Sequence, residues 1–314
     1  QQALTAIVFI ATCRCLQTFH GALQKASMQC SADGTTVAPM NAPLPTAAPS
    51  PQERAARQDQ VVQALLQVLP AQALLWHTED TTPYECDGLT AYRQRPLAVC
   101  LPETEAQVQA VLRTCHRLGV PVVARGTGTG LSGGAMPHAM GVILSLARFN
   151  RILAIDPASR TARVQCGVRN LAISEAAAPY GLYYAPDPSS QIACTIGGNI
   201  AENSGGVHCL KYGLTVHNVM RVRGFTAEGE EVTFGSEALD APGYDLLAAV
   251  IGSEGMLAVA IEVTVKLVPK PQLARCIMAS FDSVRKAGDA VAAVIAAGII
   301  PAGLEMMDKP MTAA

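Results

Sequence analysis

The chain has 314 residues and a mass of 32.8 kDa, half of them hydrophobic and 15% charged, which excludes disorder throughout. A net charge of −2 leaves no basic footprint for nucleic acid and no polybasic membrane patch; aromatics at 4%, with Trp76 the only tryptophan, argue against stacking platforms for bases or sugars. No run reaches the ~18 apolar residues of a membrane helix, so no transmembrane segment is expected.

Residues 3–11 are apolar but short and lack a basic lead, so they make a poor signal peptide, and the protein reads as cytoplasmic. Residues 1–49 read as a disordered or non-native N-terminal extension. Their only charged side chains are Arg14, Lys25 and Asp33; Met40-Asn41-Ala42-Pro43 resembles a natural start, which makes 1–39 upstream translated sequence, and the prolines from Pro39 to Pro51 give an extended tail. A helical lead-in spans 50–92. Ser50, Pro51 and Glu53 form a capping box there, and Val61, Val62, Leu65, Leu66 and Leu69 give one apolar face.

Residues 97–101 read as a buried strand. A helix follows, capped by Thr104 and Gln107, with Val108, Val111, Leu112 and Cys115 inward and Gly119 as its stop. With a strand at 120–124, residues 97–124 form an expected β-α-β unit. Further strands are expected at 141–144, 153–156, 161–165, 219–227, 231–234, 258–268 and 276–281, with a hairpin turn at Glu228-Gly229 and helices at 170–180 and 283–297. The irregular order predicts an α+β fold rather than a doubly wound sheet. Ten cysteines, none spaced C-x-x-C and most inside apolar runs, read as small apolar residues in a reducing compartment.

Three glycine-rich segments carry the chemistry. In the first, the strand through Val122 runs straight into Arg125-Gly126-Thr127-Gly128-Thr129-Gly130-Leu131-Ser132-Gly133-Gly134, where residues without Cβ let successive N–H groups converge on an anion beside an arginine suited to phosphate. Gly128-x-Gly130-x-x-Gly133 fits the dinucleotide fingerprint and Gly130-x-Ser132-x-Gly134 the hydrolase elbow. Both patterns need a helix at once, which Gly133, Gly134, Pro137 and Gly141 oppose, so a serine hydrolase using Ser132 is a minor alternative. The second segment, Pro186 to Gly206, alternates small residues, amides and hydroxyls; Ser189, Thr195, Asn199 and Asn203 are its hydrogen-bonding candidates, and its bare backbone suits a flat ligand. The third, Gly252-Ser253-Glu254-Gly255, enters a strand. Three such loops suggest a long phosphate-bearing cofactor.

These segments (121–135, 184–206 and 252–269) resemble the FAD-binding domain of the vanillyl-alcohol-oxidase, or PCMH-type, flavoproteins. The stretches Ala185-Pro-Asp-Pro-Ser-Ser-Gln and Cys194-Thr-Ile-Gly-Gly-Asn-Ile-Ala-Glu-Asn are most similar to the glycolate-oxidase group within it. The resemblance covers about residues 50–308 and implies a PCMH-type domain of two α+β subdomains at 93–271, followed at 272–314 by the start of a truncated α+β cap domain. Arg125, Gly126, Thr127, Gly128, Thr129, Gly130, Leu131, Ser132 and Gly133 would hold the pyrophosphate of FAD. Thr195, Gly197, Gly198, Asn199 and Asn203 would line the isoalloxazine and ribityl side, with Pro188 and Ser189 also contributing. Glu254, Gly255 and Val259 would close the adenine end. Relatives often carry Thr and Gly where this chain has Met256 and Ala258, and Thr in place of Ile261, changes expected to crowd or depolarise one wall. Some relatives attach flavin through a histidine in the first loop; Thr129 stands there, so the FAD is expected to be non-covalent.

The resemblance implies oxidation of a small 2-hydroxy acid, glycolate or D-lactate, by hydride transfer to flavin. Electrons would pass to a quinone or to partner subunits of a glycolate oxidase complex, a second flavin subunit and an iron–sulfur subunit, which would hold the chain peripherally at a membrane. A D-2-hydroxyglutarate-type dehydrogenase and a catalytically incomplete FAD-binding fragment remain alternatives. No catalytic base is identified: Glu202 and Glu254 lie in the right loops, but cofactor contact or solvent exposure accounts for both. The six histidines show neither H-x-H nor H-x-x-x-H spacing, so no metal site is expected; His208 and Cys209 are the only pair near the chemistry. Loss of Gly128 or Gly198 to a β-branched residue is expected to abolish flavin binding. The apolar side of the last helix, with Val284, Val291 and Val294, is expected to be partly uncovered.

Overall fold

The computed structural model describes residues 50–236, 243–273 and 277–308, and absences noted below concern those residues. Helix α1 (Pro51–Leu65) begins with proline at its first position, where no N–H is needed, and buries Val61, Val62 and Leu65. After β1 (Leu74–Leu75) and the single-turn α2 (Thr78–Thr81), strand β2 (Ala98–Cys100) is buried at every residue. Helix α3 (Glu105–Leu118) has the expected capping box: Thr104 Oγ1 accepts from the Gln107 N–H at 3.2 Å and Gln107 Oε1 accepts from the Thr104 N–H at 3.3 Å. Gly119 ends it at φ +60, in the left-handed region where glycine is unstrained.

Strands β3 (Val122–Arg125) and β4 (Val142–Ser145) complete a first sheet in the order β1-β2-β4-β3, with β4 parallel to both neighbours. The expected β-α-β unit is present, since β2 and β3 run parallel in one sheet with α3 between them in sequence, but it is split by β4. Strands β2 and β3 do not pair, because β4 inserts between them, and one layer of Val99, Ile143 and Val123 crosses the three strands in register.

A second, antiparallel sheet has the order β5-β6-β10-β8-β9, built from β5 (Ile152–Asp156), β6 (Thr161–Gln165), β8 (Val219–Phe225), β9 (Glu231–Gly235) and β10 (Val259–Lys266). The β8–β9 hairpin turns at Gly229, φ +77, where the Thr226 N–H donates to Glu230 O at 2.9 Å. Helix α4 (Asn170–Ala177), with a short 3₁₀ turn after it, and the short helices α5 (Ile196–Glu202), α6 (Cys209–Tyr212), α7 (Thr215–Asn218) and α8 (Leu246–Val250) accompany this sheet; β7 (Leu182–Tyr183) pairs with β11 (Val268–Pro269). The result is α+β, as the element order predicts. Ile173 of α4, Ile196 and Ile200 of α5 and Val250 of α8 pack with Val164, Val222, Val263 and Val265 of the sheet. A second cluster joins α1, α3 and the first sheet to Phe225, Val259 and Ile261.

The elements from α1 to β11 form one unit, and α9 (Val284–Ala296) belongs to another. Ser283 caps α9 by accepting from the Lys286 N–H; Ala287 is buried, Val284 is 60% exposed, and Val291 and Val294 are half-buried. The expected strand at 276–281 is absent over 277–281, and Cys276 lies outside the described residues, as do residues 1–49 with Cys13, Cys15 and Cys30. The six described cysteines are all free thiols.

An ion network ties α3 to the second sheet. Arg223 of β8 makes paired 2.7 Å bonds to both oxygens of Glu105, in the first turn of α3, and lies 3.3 Å from Glu231 and 3.4 Å from Glu262. The Arg223 bond holds the Glu105 carboxyl below its ordinary pKa of 4.5 and lifts the arginine's own pKa. Arg223→Ala is expected to destabilise the fold by roughly 1–2 kcal/mol, since a charge-assisted pair is lost but Glu105 stays solvated. Because the folded pKa of Glu105 is depressed, this contribution is complete above pH 4.5 and is lost as pH falls through the lower folded value. Thermal melts of wild type and variant at neutral and acid pH check both the loss and its convergence in acid.

Candidate functional site

The three glycine-rich segments meet at one cleft that opens to solvent. Strand β3, at the edge of the first sheet, delivers the chain directly into the first of them, and no helix follows before β4, although both rejected motif readings require one. Arg125 closes the strand and is buried. It turns beneath the loop instead of out of it: Nη1 donates to Cys86 O at 2.8 Å and to Ala135 O at 3.1 Å, and the guanidinium lies 5.7 Å from the Tyr84 ring centroid. Gly128 sits over that group at φ +71, and a Cβ there would overlap the guanidinium. The 84–90 segment pins the outer side: Asp87 Oδ2 accepts from the Gly133 N–H at 2.9 Å, and the Gly88 N–H donates to Gly130 O at 3.0 Å.

The second segment, read as bare loop, holds helix α5, with two glycines in its first turn. Packing overrides the poor helix propensity of glycine. Ile196 and Ile200 are buried against the second sheet, and the Gly197 N–H donates to Cys166 O at 2.8 Å at a contact so close that a Cβ would stand 2.9 Å from Cys166 Cβ. Thr195 holds the N-cap position without a side-chain bond to the helix; its hydroxyl lies against Gly126 and 3.5 Å from where a Gly198 Cβ would sit, at the junction of the first two segments. Asn199 is buried, its Oδ1 accepting from Asn170 Nδ2 at 3.0 Å. Where α5 ends, its free carbonyls take up the third segment: Ile200 O accepts from the Gly252 N–H and Ala201 O from the Glu254 N–H, both at 2.8 Å. Two non-glycine residues here, Asn203 (φ +50) and Glu254 (φ +53), adopt the left-handed region.

Of the expected residues, Arg125, Gly126, Thr127, Gly128, Thr129, Gly130, Thr195, Gly197, Gly198, Asn199, Glu254, Gly255 and Val259 line the cleft. Leu131 (66% exposed), Ser132, Gly133, Pro188, Ser189 and Asn203 stand outside its lining; Asn203 Oδ1 instead accepts from the Val216 N–H at 3.0 Å. Ser190, Cys166, Cys194, Glu202, Ser204, Ser253, Ala258 and Ala260 also line it. Small residues at 258 and 260 flanking Val259 are a signal the sequence offers. Cys166 offers none: it belongs to no motif and arrives from the far end of β6. Burial pushes its thiol up to about 12, so it is a neutral packing group and no nucleophile.

The departures at the third segment do not crowd the wall as expected. Met256 is 81% exposed, Ile261 is fully buried in the core, and only Ala258 faces the cleft. His208 does have a partner, Asp187, with Nδ1 to Oδ2 at 2.6 Å, but neither residue lines the cleft. Among the described residues no group of three or more His, Cys, Asp or Glu is placed to hold a metal ion, and no helix is long and apolar enough to cross a membrane.

Comparison with known proteins agrees with this geometry. Residues 96–235 match the FAD binding domain family and residues 270–314 the C-terminal domain of FAD linked oxidases. The chain is 65% identical over 249 residues to glycolate oxidase subunit GlcD of Escherichia coli K12, covering 79% of this chain and 50% of the relative. It is 42% identical over 228 residues to the Bacillus subtilis subunit, covering 72% and 48%. The chain thus spans about half the length of the curated relatives it matches. Among solved structures, an alkyldihydroxyacetonephosphate synthase superposes with a TM-score of 0.65 at 21% identity, over 78% of this chain and 50% of that one, which shows the same fold. The bare three-segment cleft on its α+β frame thus lies largely within the match to the FAD binding domain family at residues 96–235, and the match to the C-terminal domain of FAD linked oxidases follows it from residue 270.

Proposed function

We propose that the chain binds FAD non-covalently in this cleft and takes part in oxidising a small 2-hydroxy acid, glycolate or D-lactate, to the 2-oxo acid. The convergence of three nearly side-chain-free segments on one cleft carries the reading, because a long, flat, phosphate-bearing molecule needs backbone N–H groups and close approach along its whole length. When bound, FAD supplies the acceptor for the hydride from the substrate Cα–H. The chain's own residues bind and orient it: the N–H groups of the 126–130 turn face the phosphates, the Thr195 hydroxyl and Asn199 serve the flavin side, and the backbone of 253–255 closes the far end. Thr129 stands in a first segment, 122–135, that holds neither the histidine nor the cysteine a covalent flavin link of this kind would use.

In the same reading residues 93–271 form the cofactor-binding domain and residues from 272 onward belong to a cap domain. Electrons leave to a quinone or to partner subunits, a second flavin subunit and an iron–sulfur subunit, with the chain on the cytoplasmic side. The visible spectrum of the purified protein, before and after acid precipitation, tests the first half: a flavin chromophore released to the supernatant is the expected result, and a folded protein that takes up no added FAD overturns it. Dye reduction with glycolate, D-lactate and D-2-hydroxyglutarate tests the second. Turnover of D-2-hydroxyglutarate alone would replace the substrate assignment, and turnover of none would remove the catalytic half and leave a cofactor-binding module.

A further inference from the structure

Two carboxylates converge inside the cleft with no cation between them. Glu202, the last residue of α5, and Glu254, on the third segment, reach one point from different elements: Glu202 Oε1 and Glu254 Oε2 each lie 3.1 Å from where a Cβ on Gly134 would sit. Both residues line the cleft. The backbone enforces the meeting. Glu254, at φ +53, donates its N–H to Ala201 O at 2.8 Å, one residue before Glu202, so the backbones that carry the two carboxylates are tied side by side. The groups acting on Glu202 are Glu254, Asp87 and the Ser132 hydroxyl, none of them cationic. Asp87 is itself committed to the Gly133 and Leu89 N–H groups, and the cation of the cleft, Arg125, donates to the Cys86 and Ala135 carbonyls.

A dinucleotide brings two further negative charges on its pyrophosphate into this site. Without a proton the cleft would then hold four, all partly withdrawn from water, where repulsion is least screened. We propose that FAD binding to this cleft takes up one proton, held on Glu202 beside the charge of Glu254, so that affinity for FAD falls as pH rises. The proposal rests on the FAD-binding reading above and adds to it a linkage between cofactor loading and pH.

Burial, and then the charge of Glu254, already hold the Glu202 carboxyl above its ordinary value of 4.5; a bound dianion acts in the same direction. A group whose pKa rises on binding carries a proton into the complex. Affinity is therefore greatest below the free-protein value, falls between the two values and levels off above the bound value.

The test uses the full chain stripped of flavin. FAD is titrated in, followed by flavin fluorescence between about pH 5 and pH 8 at fixed ionic strength, with calorimetry in two buffers of unlike ionisation heat counting the protons. In wild type Kd rises about tenfold or more across the range, the change that one unit of pKa shift gives, with net proton uptake. Glu202→Gln removes the neighbour's charge and the titration together: its Kd is flat and tighter than wild type at the alkaline end. Glu254→Gln, a second route to the same result, guards against a Glu202 variant that fails to fold. A wild-type Kd independent of pH without proton uptake overturns the linkage and leaves FAD binding intact. Retention of the wild-type slope in both variants also overturns it. No FAD binding at any pH removes the underlying reading and this proposal with it.

Discussion

Gly128→Val is expected to abolish stoichiometric flavin binding, weakening it at least about 100-fold, while the protein stays folded. Gly128 has φ +71, a conformation that costs a β-branched residue about 1–3 kcal/mol, and its added carbons would overlap the Arg125 guanidinium. Driving Arg125 out would also strip the Cys86 and Ala135 carbonyls of their donor, at about 1–3 kcal/mol for each group left buried and unpaired. Gly128→Ala beside Gly198→Ala is the matched comparison. The sequence places both glycines in cofactor segments and treats them alike, yet a Cβ at 198 meets only Thr195 Oγ1, at an ordinary 3.5 Å, and its φ is not positive. Gly197 is the tight neighbour instead, pressed on the Cys166 backbone, so Gly197→Val should cost the protein stability, whereas Gly198→Ala should keep most of its flavin. Flavin-to-protein ratios with circular dichroism separate these outcomes; a flavin-loaded, folded Gly128→Val would show that the loop does not cradle the cofactor.

Arg125→Ala is expected to weaken FAD binding by roughly 10- to 100-fold, through the shape of the loop more than through a lost phosphate contact. The guanidinium bridges two carbonyls from segments 49 residues apart in sequence, at 86 and 135, while lying over the Tyr84 ring. Arg125→Lys should recover little of the loss, because an ammonium lacks the planar fork that serves both carbonyls and the ring together. If the residue acted mainly as a charge beside phosphate, lysine would restore most of the affinity, and FAD dissociation constants for the two variants decide between these accounts.

Much of the fold is legible in local pattern. Helix α3 shows its start, its inner face and its stop in the sequence, because capping, 3.6-residue periodicity and a left-handed glycine are all settled within one segment. The strands of the second sheet are legible for the same reason: Val259, Ile261, Val263 and Val265 alternate with half-buried residues along most of β10, an antiparallel two-residue period. Helix α5 is not legible, since its glycines oppose helix locally and only the burial of Ile196 and Ile200 against a distant sheet pays for it. The place of β4 between β2 and β3 is equally hidden, since three short apolar strands carry no mark of their order.

By itself the sequence determined the α+β class and the three bare segments and, through their number, pointed to a long phosphate-bearing ligand, because these depend on residue types and spacing within short stretches. The tertiary structure alone decided which atoms of those segments share a cleft. It turned Arg125 beneath its loop, brought Cys166 in as packing, left Ser132 and Asn203 outside the lining, and set Glu202 against Glu254. Each of these pairings joins residues from separate elements, and the forces that fix them, burial and hydrogen bonding across the chain, have no local signature.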